Sequence, residues 1–230
     1  MESDADAEDL VKAASSPKRR CKDYRIPLLL ALYGGLRREE CAGLRWDKVD
    51  FKLNRITISE AIVMTSDGKE HLKDPKTHLS ARTISMPKFV MKELAIEYDK
   101  FLGRTDAYIL RHNPNHRVCV TSTGEPYSCK SYSHPIKRLV DEINAERQKQ
   151  HAPRIPKPSF HYLRHTHAAM LIRRNVQPKF ISERLGHSSI KITMDLYGYL
   201  MPGLQDMVAD AFNKERPKLT IFPAENTTSA

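Results

Sequence analysis

Cysteine is scarce in this 230-residue sequence, and long apolar runs are absent. The four cysteines include no Cys-x-x-Cys pair, so the sequence indicates neither a zinc site nor a disulfide framework, and we expect free thiols. The longest uninterrupted apolar run, residues 26–33, is far too short to span a membrane, and no signal-peptide pattern opens the chain. These absences favour a soluble protein that remains inside the cell.

Acidic residues are outnumbered by basic ones. There are 38 Lys and Arg against 28 Asp and Glu, which gives a formal net charge of +10. Five of the acids lie within the first nine residues, which hold no base, so residues 10–230 carry 38 bases against 23 acids. This balance favours a polyanionic partner and salt-sensitive binding. Charge alone would fit a merely soluble basic protein equally well.

The chain divides into three stretches. Residues 1–20 are acidic and then rich in serine, proline and bases, which predicts a flexible lead-in or a linker remnant. Residues 21–203 are long enough to bury one good core. Residues 204–230 open with apolar residues at helical spacing, which predicts a C-terminal helix followed by a tail.

The middle stretch combines helical apolar spacings with one segment rich in β-formers. Residues 51–58, 61–64 and 83–86 are enriched in such residues, and Asp67-Gly68 between them is a turn signal. The pattern predicts a small antiparallel sheet within a mainly helical chain, which is an α+β fold, mainly α.

Basic and histidine side chains form two clusters ahead of a tyrosine. His161, Arg164 and His165 lie in one short segment, His187 follows Leu185-Gly186, and Tyr197 comes ten residues later. A phosphodiester repels nucleophiles and has a poor leaving group. Cleavage without a metal therefore needs fixed cations on the nonbridging oxygens, a side-chain nucleophile and a proton donor. The two clusters and the tyrosine supply residue types for the first two requirements.

Two upstream segments supply further parts. Arg37 and Glu40 follow the apolar run in Gly34-Gly35-Leu36-Arg37-Arg38-Glu39-Glu40, where the glycines are expected to end a buried helix. Lys76 lies between stretches that are typical of strands.

Taken together, these five segments resemble the tyrosine recombinases, the family of phage-type integrases. That family has a Gly-Leu-Arg-x-x-Glu box, a lysine on a β-hairpin, a His-x-x-Arg-His box, a Leu-Gly-His box and a tyrosine shortly after it. All five occur here in the same order, over residues 28–199. The resemblance implies a helical tyrosine-recombinase catalytic domain with a small antiparallel β-sheet, at residues 21–203.

The resemblance also implies roles for the charged residues. Arg37 and Arg164 would clamp the scissile phosphate, because a guanidinium forks onto two oxygens and keeps its charge. Lys76 would be the general acid for the departing 5′ oxygen, with Lys73 as its competitor. Glu40 would orient an active-site cation from a buried position.

For the remaining residues, the resemblance implies the following. His161 and His187 would bind the phosphate or help to take the proton of the attacking tyrosine. His165 has a supporting, mainly structural role, and His167 is likewise assigned mainly to structure. Tyr197 would be the nucleophile; Tyr199, where relatives often have histidine, is the competing phenol.

The implied reaction is a transesterification of double-stranded DNA through a 3′-phosphotyrosine, without ATP, metal or any other cofactor. Four protomers would act on two DNA sites. Residues 204–230 would pack on their own domain or be exchanged between protomers. Accessory DNA-bending proteins are compatible with this assembly. The chain would be a catalytic-domain fragment or a minimal member. It would integrate or excise a mobile element in the cytoplasm, at the nucleoid, and be encoded by a bacterium or a phage.

Other functions remain open at this stage. A type IB topoisomerase uses related chemistry but relaxes DNA. A noncatalytic DNA-binding module could share the fold. A metal-dependent nuclease fits less well, because no cluster of carboxylates accompanies the basic segments.

Overall fold

The computed structural model describes residues 4–15, 24–73, 81–156 and 159–201. Nine helices and five short strands are present in these ranges. The helices are α1 Asp4–Ser15, α2 Arg25–Gly34, α3 Arg38–Gly43, α4 Lys88–Leu102, α5 Asp106–His112, α6 Ser133–Lys149, α7 Phe160–Arg173, α8 Pro178–Leu185 and α9 Ile190–Leu200. The strands are β1 Val49–Asp50, β2 Arg55–Ile58, β3 Ala61–Met64, β4 Glu70–Lys73 and β5 Arg82–Ser85. The predicted mainly helical α+β fold is confirmed.

Helix α2 is the central apolar helix. Its residues from Ile26 to Leu32 are all buried, because an apolar run without a polar face packs on every side. The helix ends as the sequence predicted: Gly35 has a left-handed φ of 68°, and its N–H and that of Leu36 return to carbonyls of the last turn. This turn places Arg37 directly after the core.

The β segment forms two antiparallel sheets. β2 lies between β1 and β5, with Ile56 opposite Ile84, while β3 and β4 form a separate hairpin around the predicted Asp67-Gly68 turn. Residues 51–54 were expected to extend a strand but form a turn instead. The Asp50 carboxylate accepts two backbone N–H groups there, at 2.9 and 2.8 Å.

Residues 4–15 differ from the flexible lead-in that the sequence predicted. They form α1, and Ala7, Leu10 and Ala14 are buried in the main core because they lie at i, i+3 and i+7 on one helical face. Arg147 of α6 holds the polar side of α1 by pairing with two of its aspartates, at 2.8 and 2.6 Å. The prediction from acidic composition was wrong for these residues, because the spacing of the apolar side chains determines how the segment packs.

The core has two parts, and α7 contributes to both. The main cluster joins α1, α2, the three-stranded sheet, α4, α6 and part of α7. A second, smaller cluster is built from α7 and α8 and is covered by α9. Its buried members are Ala168, Ile172, Ile181 and Leu185. The predicted C-terminal helix and tail at 204–230 lie outside the described residues. No helix in the described ranges is long and apolar enough to cross a membrane.

Candidate active site

The segment Leu185-Gly186-His187 ends α8 as the sequence predicted. Gly186 has a left-handed φ of 62°, and its N–H donates to the Glu183 carbonyl at 3.1 Å. The His187 N–H donates to the Ser182 carbonyl at 3.1 Å. This cap turns the chain so that His187 follows the helix end directly.

Three arginines from three different elements converge on this helix end. Three successive carbonyl oxygens each accept a hydrogen bond from a different guanidinium: Arg184 O from Arg82 Nε at 2.6 Å, Leu185 O from Arg164 Nη2, and Gly186 O from Arg37 Nη2 at 3.0 Å. The carbonyls of a helix C-terminus lack intrahelical partners and carry partial negative charge, so cations stabilise them.

The carboxylate of Glu40 connects the same arginines from the other side. It accepts hydrogen bonds from Arg37 Nη1 and Arg37 N, both at 2.8 Å, and a two-pronged pair from Arg82 at 2.9 Å each. Arg164 Nη1 lies 3.9 Å away. Burial alone raises the pKa of the Glu40 carboxyl, but the hydrogen bonds and charges of the arginines outweigh burial and lower it to about 2.

The three guanidinium groups differ in access to solvent. The side chain of Arg37 is 36% exposed, against 8% for Arg82 and 4% for Arg164. Burial, followed by the charge of Arg37, lowers the pKa of Arg164 to about 9, so it remains a cation at neutral pH. One carboxylate faces three guanidinium groups, which leaves a local excess of positive charge suited to an anion.

The histidines lie beside this cluster. His161 and His165 are exposed one turn apart on α7, with their ring centroids 4.5 Å apart. Partial burial and the nearby charge of Arg164 lower the pKa of His161; partial burial and His161 lower that of His165. Nδ1 of His187 lies 2.8 Å from the Thr193 hydroxyl, and partial burial together with the arginines lowers its pKa to about 4. His187 is therefore a neutral imidazole at physiological pH.

The two candidate nucleophiles occupy different positions on α9. Tyr197 is half-buried and packs against the second core cluster, which consists of residues from α7 and α8. Tyr199 is 83% exposed. Since α7 carries Arg164 and the end of α8 presents His187, Tyr197 is the tyrosine packed on the elements of the site.

The candidate general acid lies outside the described residues, because Lys76 falls in the segment 74–80 between β4 and β5. Its competitor Lys73 is exposed at the end of β4. Within the described ranges, no three His, Cys, Asp or Glu side chains form a group that could hold a metal ion.

Sequence reasoning placed neither Arg82 nor Arg184 in this network, and it assigned His167 mainly to structure. Arg184 donates to the carbonyls of Tyr33 and Ser85 at 2.8 and 3.0 Å, and from Nε to His167 Nε2 at 3.0 Å. Because Nε2 accepts, the proton of the ring is on Nδ1 and is donated to the Leu32 carbonyl at 2.8 Å. Burial, followed by the charge of Arg184, lowers the pKa of His167 to about 3.

A sequence signal existed for Arg82. Alternation along β5 puts Arg82 on the same face as Ile84, which is buried, and an inward-facing charge needs a partner. No comparable signal in the sequence points to Arg184.

Solved structures of tyrosine recombinases share this architecture. The Tn1549 transposon integrase in complex with transposon right end DNA matches with a TM-score of 0.76 at 21% identity, over 92% of this chain and 64% of that one. The XerA recombinase matches with a TM-score of 0.63 at 21% identity, over 94% and 65%. The fold is therefore that of the tyrosine recombinases.

The sequence model of the phage integrase family matches residues 3–200, and the chain belongs to that family. The XerC-like tyrosine recombinase of Caldanaerobacter subterraneus subsp. tengcongensis is 26% identical over 209 residues, 85% of this chain and 51% of the relative. The ICEBs1 integrase of Bacillus subtilis is 30% identical over 191 residues, 79% and 46% of the two chains. The chain thus spans about half the length of the curated relatives it matches.

Proposed function

We propose that this chain is the catalytic domain of a site-specific DNA recombinase that cleaves and rejoins strands through a 3′-phosphotyrosine, for integration or excision of a mobile element. The observation that carries the proposal is the convergence of Arg37, Arg82 and Arg164 on Glu40 and the end of α8, beside helix α9 with its tyrosine. Relatives named as integrases and transposases support the mobile-element part.

Arg37 and Arg164 are the proposed phosphate ligands. Arg37 is the more accessible, and its guanidinium has further N–H groups beyond the two that bind Glu40 and Gly186. Arg164 is held by Gly35 O and Leu185 O, so its charge is fixed in place before DNA binds. Charges fixed in advance stabilise a developing phosphorane without reorganisation during the reaction.

Tyr197 is the proposed nucleophile. Its oxygen forms a bond to the scissile phosphorus while the bond from phosphorus to the 5′ oxygen breaks. The phenolic proton passes to His187 or His161, which are poised as neutral acceptors because their pKa values are lowered. Lys76 donates a proton to the departing 5′ oxygen. The ester conserves the bond energy, so attack by another strand's 5′-hydroxyl reverses the step without ATP.

Double-stranded DNA is the proposed partner, and other protomers of the same chain complete the assembly on it. Solved relatives include complexes with transposon DNA, which supports the first partner. A tetramer on two sites, exchange of residues 204–230 between protomers, and accessory DNA-bending proteins complete the scheme. The reaction is proposed to take place at the bacterial nucleoid.

Covalent trapping tests the proposal. The chain is incubated in chelator with a library of nicked duplexes that have randomised flanks and a 5′ label upstream of the nick, then analysed on a denaturing gel. We expect a slow-migrating adduct that Tyr197→Phe abolishes and Tyr199→Phe retains. Loss with Tyr199→Phe alone, or no adduct from the wild-type chain, would contradict it.

A further inference from the structure

Arg82 directs three of its nitrogens into the protein. Its Nε donates to Arg184 O at 2.6 Å, and its two Nη atoms donate to the two oxygens of Glu40 at 2.9 Å each. The side chain is 8% exposed. Arg82 therefore has less capacity to contact a phosphate than Arg37 and Arg164, whose guanidinium hydrogen bonds in the described residues involve only their two Nη atoms.

The two groups that Arg82 binds are the ones that hold the phosphate-binding arginines. Glu40 accepts from Arg37 Nη1 at 2.8 Å and lies 3.9 Å from Arg164. The end of α8 accepts from the same two arginines. Arg82 thus connects the carboxylate to the helix end, the same two groups that Arg37 connects.

Glycine at position 186 permits this close approach. A Cβ there would lie 3.1 Å from Arg82 Nη1, and the residue has a φ of 62°. The helix end and the Arg82 guanidinium are therefore in close contact at this glycine.

We infer that Arg82 is a positioning residue: by bridging Glu40 and the end of α8, it sets the separation and orientation of Arg37 and Arg164. Without the bridge, the buried Glu40 carboxylate turns to its remaining partners and draws both cations away from the phosphate. Lysine at position 82 would keep the charge but lacks the planar set of donors of a guanidinium, so it cannot bridge Glu40 and the end of α8. The expected loss of cleavage rate rests on the proposed function. The expected displacement of Arg37 and Arg164 can be observed in the DNA-free protein.

The first test is made on the DNA-free protein. Guanidinium signals of Arg37 and Arg164 are followed by ¹H–¹⁵N NMR in wild type, Arg82→Lys and Ile84→Val, a core change in the same strand. We expect protected signals in wild type and Ile84→Val, and loss or strong broadening in Arg82→Lys. Unchanged Arg37 and Arg164 signals in Arg82→Lys would overturn the inference.

The second test compares two substrates, a normal scissile phosphodiester and an uncharged methylphosphonate, which needs less charge neutralisation. We expect Arg82→Lys to slow cleavage of the phosphodiester by about 100-fold, the usual consequence of misplacing a catalytic group by about 1 Å. On the methylphosphonate its deficit should shrink to a few-fold, as it should for Arg37→Ala, while Ile84→Val should behave like wild type on both.

Equal deficits of Arg82→Lys on the two substrates would show a merely structural role and overturn the inference. If the wild-type chain cleaves neither substrate, the proposed function fails, and the NMR comparison alone decides on Arg82. The two failures are therefore distinguishable.

Discussion

Glu40 is the residue on which the cations of the site depend. Its carboxylate is buried and accepts hydrogen bonds from two arginines, while a third lies 3.9 Å away. A buried carboxylate without such partners would be costly, and so would three crowded guanidinium groups without a carboxylate. The site is thus a compensated cluster with surplus positive charge, which DNA phosphate can neutralise.

His187 is expected to titrate far below the usual range in the DNA-free protein. Partial burial and nearby arginines lower its pKa to about 4, from an ordinary value of 6.5. Because the unfolded chain takes up this proton near pH 6.5 and the folded chain only near pH 4, acidification between these values favours unfolding. NMR titration of the ring, assigned with His187→Gln, measures the pKa directly. A midpoint at or above 6.5 would contradict the described surroundings.

At the residue scale, sequence reasoning found the side chains with recognisable spacing. Arg37, Arg164, His161 and His187 lie in short boxes, and the structure gathers them with Glu40. It missed Arg184 and could not name the partners of His167, because these partners are backbone carbonyls and each other. Such contacts depend on how α2, α7 and α8 pack.

At the level of secondary structure, the end of α2 contacts α8 at the place where the hydrophobic core adjoins the candidate active site. Gly35 ends α2 with a φ of 68°, and a Cβ there would lie 2.6 Å from Leu185 Cδ2 and 2.7 Å from His167 Cδ2. Its carbonyl also accepts from Arg164 Nη1 at 2.7 Å. Gly35 therefore ends α2, leaves room for the side chain of Leu185 and accepts a hydrogen bond from Arg164.

Gly35→Ala is expected to lower the free energy of unfolding by about 2–5 kcal/mol, the sum of left-handed strain and overpacking. Gly68→Ala is the matched control: its φ is 79°, but no atom lies within 4 Å of the added Cβ. It should lose only about 1–2 kcal/mol, from strain alone. Urea denaturation measures both. Equal losses would show that the contact with Leu185 and His167 is unimportant.

Helix ends marked by glycine were predictable, and so was the β3–β4 turn. The turn at residues 51–54 was not predicted, because the Asp50 side chain binds backbone N–H groups there and overrides the β-forming composition. The β3–β4 pair as a sheet of its own could not be anticipated either, since pairing between strands is a tertiary property.

For the whole molecule, α1 belongs to the core. Leu10 is fully buried, and Arg147 of α6 holds the acidic side of the helix. Sequence composition suggested a flexible lead-in or linker remnant, whereas the 3.6-residue periodicity of Ala7, Leu10 and Ala14 is consistent with packing. The family match beginning at residue 3 agrees with including this helix.

Leu10→Ala is expected to reduce the free energy of global unfolding by about 2–5 kcal/mol, because it removes a fully buried side chain. Glu8→Ala changes an exposed residue of the same helix and should alter it by less than about 0.5 kcal/mol. Denaturant titrations of both variants decide the matter. A negligible effect of Leu10→Ala would mean that α1 is not part of the cooperative unit.

Tyr197 is proposed to become covalently joined to DNA, and mapping that bond tests the proposal most directly. The trapped adduct is digested with nuclease and trypsin, and the nucleotide-bearing peptide is sequenced by mass spectrometry. We expect a 3′-nucleotide phosphate on Tyr197. A phosphate on Tyr199 or on any other residue, or a 5′ linkage, would contradict it.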